Sequence, residues 1–450
     1  MDNKPLSWKE KLSYGFGSLG ASTVYGIMST YLLVYYTDYF GISALAAGTL
    51  FLVARSWDSV NDLIMGVIVD NTKTKWGRFR PYLLFAPWFI AATTVLCFTT
   101  PNLSSTGKLI WAYITYLAWD LSFTVRDIPF WSLSATITRD PVERNSVVMI
   151  PRTVSMIGII GINVITLPLV DILGEGNSNL GWQLVAALYG SLCVIFSLIT
   201  FFNVKEKNVY RKEHKQKFSD ILRQLKVNGP LKALLCFMLI SETIMTIKNI
   251  FPIYYLKYNY KSPGLIPVFM GVYAILAVVG ALITPWIAKK IGKKNTVFYS
   301  SIAASIASMG LFFSGYSSVS RLFFWVVLMG VVDGIAEIAR NSMLADTVEY
   351  GQWKTGIRAE GMVFSANIFK TKVASALGGS MGAFVLGAIG YIPNVAQSTT
   401  TLNWIHYTFT IIPGLISLLA LIPLSMYKLT EKKYQEILDE LEAGPATKNI

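Results

Sequence analysis

The sequence predicts an all-α membrane protein, with twelve transmembrane helices in two pseudo-symmetric six-helix bundles. Three observations predict it. The hydrophobic fraction is 53%, the charged fraction 14% and the mean hydropathy +0.49, where soluble domains carry about 25% charge. Apolar runs recur along the whole chain at the length of about 20 residues that a helix needs to cross the hydrocarbon. Between the runs, basic residues gather in alternate loops, as the positive-inside rule requires.

The first span starts near Leu12, behind a polar N-terminus (MDNKPLSWKEK) with no small-residue cleavage site, so no cleavable signal is expected. The others start near Leu45, Pro81, Leu109, Val148, Trp182, Pro230, Pro267, Thr296, Arg321, Met362 and Trp404. One set of loops carries Lys4, Lys9 and Lys11, then Lys73, Lys75, Arg78 and Arg80, Arg139 and Arg144, Lys289, Lys290, Lys293 and Lys294, Lys354 and Arg358, and Lys428, Lys432 and Lys433. The middle loop, 203–229, is basic throughout. The opposite set holds little beyond Lys108, Lys257, Lys261 and Arg321. Both termini and the middle loop are therefore expected in the cytoplasm, of a bacterial inner membrane, and an even number of spans agrees. The expected division is a bundle over 1–202, the basic loop 203–229, a bundle over 230–427 and a cytoplasmic tail over 428–450.

The net charge of +13 follows from this loop pattern, so a nucleic-acid partner is not expected. The partners expected are the lipid bilayer and small solutes, with the basic loops open to a cytoplasmic regulatory protein. Cys97, Cys193 and Cys236 all fall in apolar runs and read as packing residues. Neither H-E-x-x-H nor a Walker motif is present, so no enzymatic role, cofactor or ATP-driven step is expected.

Polar residues inside the spans point to chemistry. Asp58 and Asp62 lie four residues apart in the second span, one above the other on a helix, with Asn61 beside them. One such charge at mid-bilayer costs about 3 kcal/mol, and two adjacent acids call for a cation or a shared proton between them. The competing reading is a structural pair satisfied by Arg55 or by cations of other helices. In the fourth span, Asp120, Thr124, Asp127 and Trp131 follow at spacings of four, three and four, so they share one stripe. Arg126 is rotated off that stripe, and Arg152 in the fifth span is the expected partner of Asp127. The C-terminal half offers Glu242 and Lys248, the pair Glu337 and Arg340, and Asn367, Lys370 and Lys372. Lys370 and Lys372 point to opposite sides of a helix, so at most one faces a central cavity. Trp131 and Tyr116 could stack on a sugar, since carboxylate, Arg and ring together suit a polyhydroxylated ligand.

The halves echo each other, GVIVDNTKTKWGRFRP after the second span resembling TPWIAKKIGKKNTVFY after the eighth. Paired six-helix repeats with such a basic turn are the layout of the major facilitator superfamily. SYGFGSLG from Ser13, YYTDYFGI from Tyr35, TLFLVARSWDSVNDLIMG from Thr49, KWGRFRP from Lys75, DIPFWSL from Asp127, ADTVEYGQWK from Ala345 and GYIPNVAQS from Gly390 resemble the glycoside–pentoside–hexuronide:cation symporters, the family of the melibiose carrier. The resemblance runs from about Leu12 to Tyr427. It implies the major facilitator fold and cation-coupled import of a glycoside, of hexuronide or pentoside type, by alternating access. By position it implies a cation site of Asp58, Asn61, Asp62 and Thr124, holding Na+. The implied sugar site includes Asp127, Trp131 and Arg152, with Lys372 between the two sites; Arg126, Ser22, Asn367 and Glu337 are further candidates. Two departures matter. Ala21 and Ser22 stand where the melibiose carrier has a Lys-Asp pair, and Asp120 stands where it has glycine. A third acid near Thr124 would ease protonation, so protons compete with sodium as the coupling ion. A sodium-coupled carrier of an amphipathic lipid is the other transport reading, and the charges on spans 4, 5, 10 and 11 argue against it.

Overall fold

The computed structural model describes residues 6–138, 141–206, 227–356 and 360–442. The middle-loop cations over 207–226, together with Arg139 and Arg358, lie outside them. Among the described residues the regular structure is helical: α1 (Trp8–Tyr35), α2 (Ala44–Asn71), α3 (Arg80–Cys97), α4 (Ser105–Ile137), α5 (Pro141–Gly174), α6 (Ser178–Asn203), α7 (Gly229–Tyr254), α8 (Leu265–Ile291), α9 (Lys293–Ser314), α10 (Val319–Thr355), α11 (Glu360–Ala388), α12 (Thr399–Phe409), α13 (Ile411–Ser425) and α14 (Glu431–Glu442). Every one of the twelve predicted spans is present as helix. Eight of them are long and apolar enough to cross a membrane on composition alone. The last is broken, because Thr410 (φ −111°, ψ −84°) separates α12 from α13.

The chain forms two compact units. Unit 1 takes in Met1–Lys212 and Ala383–Val395, and unit 2 takes in Glu213–Gly382 and Ala396–Ile450. In unit 1, α1 packs on α5 and α6, α3 on α4 and α6, and α2 on α4. Glycines let these helices approach closely: a Cβ on Gly20 would stand 3.1 Å from the Cys193 backbone of α6. The end of α11 and the loop after it belong to unit 1 through Asp38, a buried residue in the π-turn that closes α1. Asp38 accepts from the Tyr391 hydroxyl at 2.6 Å, and the Asn394 amide donates to its carbonyl. In unit 2, α10 packs on α8 and α9, and α13 on α7 and α9. The faces turned from both cores carry Phe89, Ile157, Leu282 and Phe313, all exposed, as a lipid-facing surface requires.

The internal echo has a structural counterpart in each unit. In unit 1, Glu206, just past α6, accepts from the backbone N–H groups of Arg78, Phe79 and Arg80 at 2.9, 2.8 and 3.1 Å. It thereby satisfies the orphan donors that begin α3. In unit 2, Glu431, just past α13, accepts from the N–H of Lys293, which begins α9. Each carboxylate nests against a glycine of positive φ, Gly77 (+106°) or Gly292 (+85°). A carboxylate capping the third helix of its own unit thus occurs twice.

The charged tail is not a free strand of chain. It forms α14, an amphipathic helix that buries Ile437 in the unit 2 core beside Leu231 and Val348. Glu440 accepts from the Trp353 indole at 2.6 Å.

Candidate functional site

α2 and α4 are long helices that carry polar stripes through otherwise apolar sequence, and their packing brings those stripes together. α2 is started by Ser43, whose hydroxyl accepts from the Ala46 N–H at 3.2 Å, and α4 by Ser104, which accepts from Gly107 at 3.2 Å. Across the α2–α4 contact the Thr124 hydroxyl reaches Asp58 Oδ1 at 3.5 Å. Asp58, Asn61, Asp120 and Thr124 are all buried, and Asp62 is half-buried. Two polar atoms in this group have no hydrogen-bond partner, the Asn61 amide nitrogen and Asp120 Oδ2. A buried orphan of this kind costs about 1–3 kcal/mol, which a bound ion, proton or water can recover.

Arg55 also enters the site. Its guanidinium lies 3.9 Å from Asp58 Oδ2 and within electrostatic reach of Asp120. At that distance it offsets part of the negative charge of Asp58. Among the described residues no three His, Cys, Asp or Glu side chains converge as a metal site.

The sugar candidates of unit 1 sit further along α4 and on α5. Asp127 lies within electrostatic range of Asp58. Its partner differs from the expectation. Arg126 is fully buried, stands 3.7 Å from Asp127 Oδ1, donates to the Gly17 carbonyl and lies 4.3 Å over the Phe130 ring. Arg152 instead approaches the Trp131 ring at 6.0 Å. Rotated off the stripe, Arg126 reaches the neighbouring helix α1 at the Gly17 carbonyl while staying within ion-pair distance of Asp127. Ser22 is engaged between helices, donating to the Ser18 carbonyl at 3.0 Å and meeting the Ser155 hydroxyl at 2.5 Å. Tyr116 is buried among Phe51 and Trp119, so it is a packing ring and not a stacking platform.

Unit 2 holds its own polar interior. Glu337 pairs with Arg340 and accepts from Asn341 at 3.0 Å, the local pair that the three-residue spacing allows. Of the two span-11 lysines, Lys370 is buried and bonded to Glu242, while Lys372 is half-buried. Asn367 keeps a buried, unpartnered Oδ1. Sequence reading missed Asp333, which takes Lys248 at 2.5 Å and the Tyr273 hydroxyl at 2.7 Å. Its signal was available, since it is an acid in an apolar run four residues before Glu337. The stretch GGSMG over 378–382, which matches the G-x-S-x-G pattern of serine hydrolases, is continuous α11 helix. Ser380 there donates to the Ala376 carbonyl at 2.6 Å, so the strand-to-helix elbow that exposes a nucleophile is absent.

Comparison with known proteins agrees with this architecture. The isoprimeverose transporter of Lactiplantibacillus pentosus is 34% identical, over 99% of this chain and 93% of its own. The uncharacterized symporter YnaJ of Bacillus subtilis is 36% identical over 98% and 96%, and the glucuronide carrier protein homolog of Escherichia coli 31% identical over 98% and 96%. Among solved structures, the D-xylose-proton symporter superposes with a TM-score of 0.67 at 12% identity, covering 94% of this chain and 97% of that one, which shows the shared fold. The model of the family described as MFS/sugar transport protein matches residues 13–431. The chain belongs to that family and is a multi-pass membrane transporter, not an enzyme.

Proposed function

We propose that this protein is a cation-coupled symporter that imports a glycoside of hexuronide or pentoside type by alternating access. The observation that carries the reading is the buried α2–α4 group. Thr124 meets Asp58 there beside the unpartnered atoms of Asn61 and Asp120, with Asp127 in electrostatic range of Asp58. A cation bound at Asp58 and Asp62 relieves repulsion between carboxylates and alters the field at Asp127, so ion and sugar affinities are linked. Such linkage is reciprocal and typically amounts to about 1–3 kcal/mol. Relatives named as an isoprimeverose transporter and a putative glycoside/cation symporter support the substrate class and the coupling.

Asp127 and Trp131 bind the sugar, the carboxylate accepting from adjacent hydroxyls and the ring covering a C–H face. Sodium is the coupling ion, a hard cation matched to the oxygens of Asp58, Asn61, Asp62 and Thr124 once the Asn61 amide turns its oxygen inward. The protein resides in a bacterial inner membrane with both termini in the cytoplasm, where the basic loops can receive a regulatory protein. The deciding experiment is uptake of labelled glycoside at fixed pH with sodium varied, then at fixed sodium with pH varied, in wild type and in Asp120→Gly. Sodium stimulation in wild type is expected. Stimulation that appears only in the glycine variant would identify Asp120 as the residue that selects the proton, and no response to either ion would end the symport reading.

A further inference from the structure

We infer that α11 is a hinged helix, which bends at Gly379 and Gly382 when the carrier changes conformation. From the symport reading this takes only alternating access. α11 is continuous from Glu360 to Ala388, yet it serves both units: its residues through Gly382 belong to unit 2 and those from Ala383 to unit 1. Each part is fastened to its own unit. On the unit 2 side Lys370 is bonded to Glu242 of α7. Gly378 lies so close to α7 that a Cβ would stand 2.5 Å from Thr246 Cβ and 2.8 Å from the Thr243 carbonyl oxygen. On the unit 1 side Phe384 and Ala383 pack against Gly48 of α2, Gly387 packs against Leu45 of α2, and Tyr391 beyond the helix end holds Asp38. Any rearrangement of the two units must be absorbed by the few residues between Gly378 and Ala383, or it must break one of these attachments.

The residues of that interval are ones a static helix does not call for. Glycine inside a helix lowers its stability relative to alanine. Elsewhere in unit 2 it is required for want of space: a Cβ would stand 2.0 Å from the Val331 carbonyl oxygen at Gly280 and 1.9 Å from the Ala277 carbonyl oxygen at Gly334. Gly379 has no such reason, with nothing within 4 Å of the position its Cβ would take. At Gly382 a Cβ would meet Ile250 at 3.5 Å, an ordinary contact. Neither residue has a positive φ. Alanine would fit both positions in this conformation, so what the glycines supply is flexibility and not room. Between them Ser380 donates to the Ala376 carbonyl at 2.6 Å, a bond to the preceding turn of the kind that bends helices. Gly66 and Gly161 are as open, but each lies in a helix of unit 1 alone, α2 or α5, where no boundary is crossed.

The test compares variants of the full chain by gradient-driven uptake into vesicles and by backbone hydrogen exchange of the purified protein. The uptake probe is a labelled pentosyl disaccharide or a labelled glucuronide, whichever the wild type accumulates. The double variant Gly379→Ala, Gly382→Ala should keep its amount in the membrane and a melting temperature no lower than that of wild type. Its maximal uptake rate should nevertheless fall by about fivefold per glycine, the rate equivalent of the helix propensity gained. Gly161→Ala should leave the rate unchanged. Gly379→Ser should slow uptake less than Gly379→Ala, because serine is the larger side chain but the poorer helix former. Hydrogen exchange needs no substrate; residues 379–383 should open more readily than the rest of the α11 interior in wild type, and less readily in the double variant. A wild-type rate in the double variant overturns the hinge, as does a Gly161 variant slowed equally. A serine variant slower than the alanine variant overturns it too, since bulk and not stiffness would then be the cause. Uniform exchange protection along α11 also overturns it. Absence of uptake by the wild type would end the symport reading, and the exchange measurement would still decide the hinge.

Discussion

Asp127 and Arg126 show how a single contact changes the expected outcome of a substitution. With Arg126 enclosed and held by Asp127 and the Gly17 carbonyl, Asp127→Ala strands a buried guanidinium, which typically costs about 3–5 kcal/mol. That variant should therefore lose sugar binding and melt at a lower temperature in detergent. Adding Arg126→Met should recover most of the melting temperature without recovering sugar binding; recovery of both would mean that Asp127 never touched the sugar. Asp62 tests the other half of the site. It follows Asp58 by one helical turn and is half-buried, so Asp62→Cys should leave sugar affinity measurable and abolish accumulation against a gradient. Normal uphill uptake by that variant would take Asp62 out of the cation site. The positions of these acids were legible in the sequence because an ionisable residue in an apolar run stands out. The choice of Arg126 over Arg152 as partner was not, since it depends on how an arginine folds back against α1.

At the scale of elements, the paired caps are the feature that spacing alone could only hint at. Two basic, glycine-containing turns look alike in sequence, yet nothing local tells that a carboxylate some 130 residues away will cap the helix that follows. The cap makes Gly77 specific. Its φ of +106° is unfavourable for a side chain, and a Cβ would stand 2.5 Å from Glu206 Oε1. Gly77→Ala should thus destabilise the protein by about 1–2 kcal/mol from backbone strain, more if Glu206 is displaced. Thermal melting of the purified protein checks it, and Glu206→Ala should reduce the additional penalty of the glycine change. An unchanged melting temperature in Gly77→Ala would mean that the turn is free to rearrange.

For the whole molecule, the alternation of basic loops predicts an orientation. A cysteine replacing the exposed Lys432 in α14 should react with an impermeant thiol reagent only after the cytoplasmic face is opened, and one replacing the exposed Ser178 at the start of α6 should react in intact cells. The opposite labelling pattern would invert the topology. The same scale contains a grouping that hydropathy did not foresee. Ala383–Val395 belongs with unit 1 because Tyr391 and Asn394 bond to Asp38, although the eleventh span to which its first residues belong otherwise sides with unit 2.

The sequence by itself determined the helical membrane class, the twelve spans, the basic alternation and the list of polar residues set into apolar helices. These follow from transfer free energies and the 3.6-residue period, both of which act within one stretch of chain. Only the tertiary structure decided the pairings: Thr124 with Asp58, Arg126 with Asp127, Lys370 with Glu242, and Lys248 and Tyr273 with Asp333. A partner across a helix interface is chosen by axial rotation, by crossing geometry and by how close small residues let backbones come. Those quantities are set by the packing of whole helices, and no window of sequence contains them.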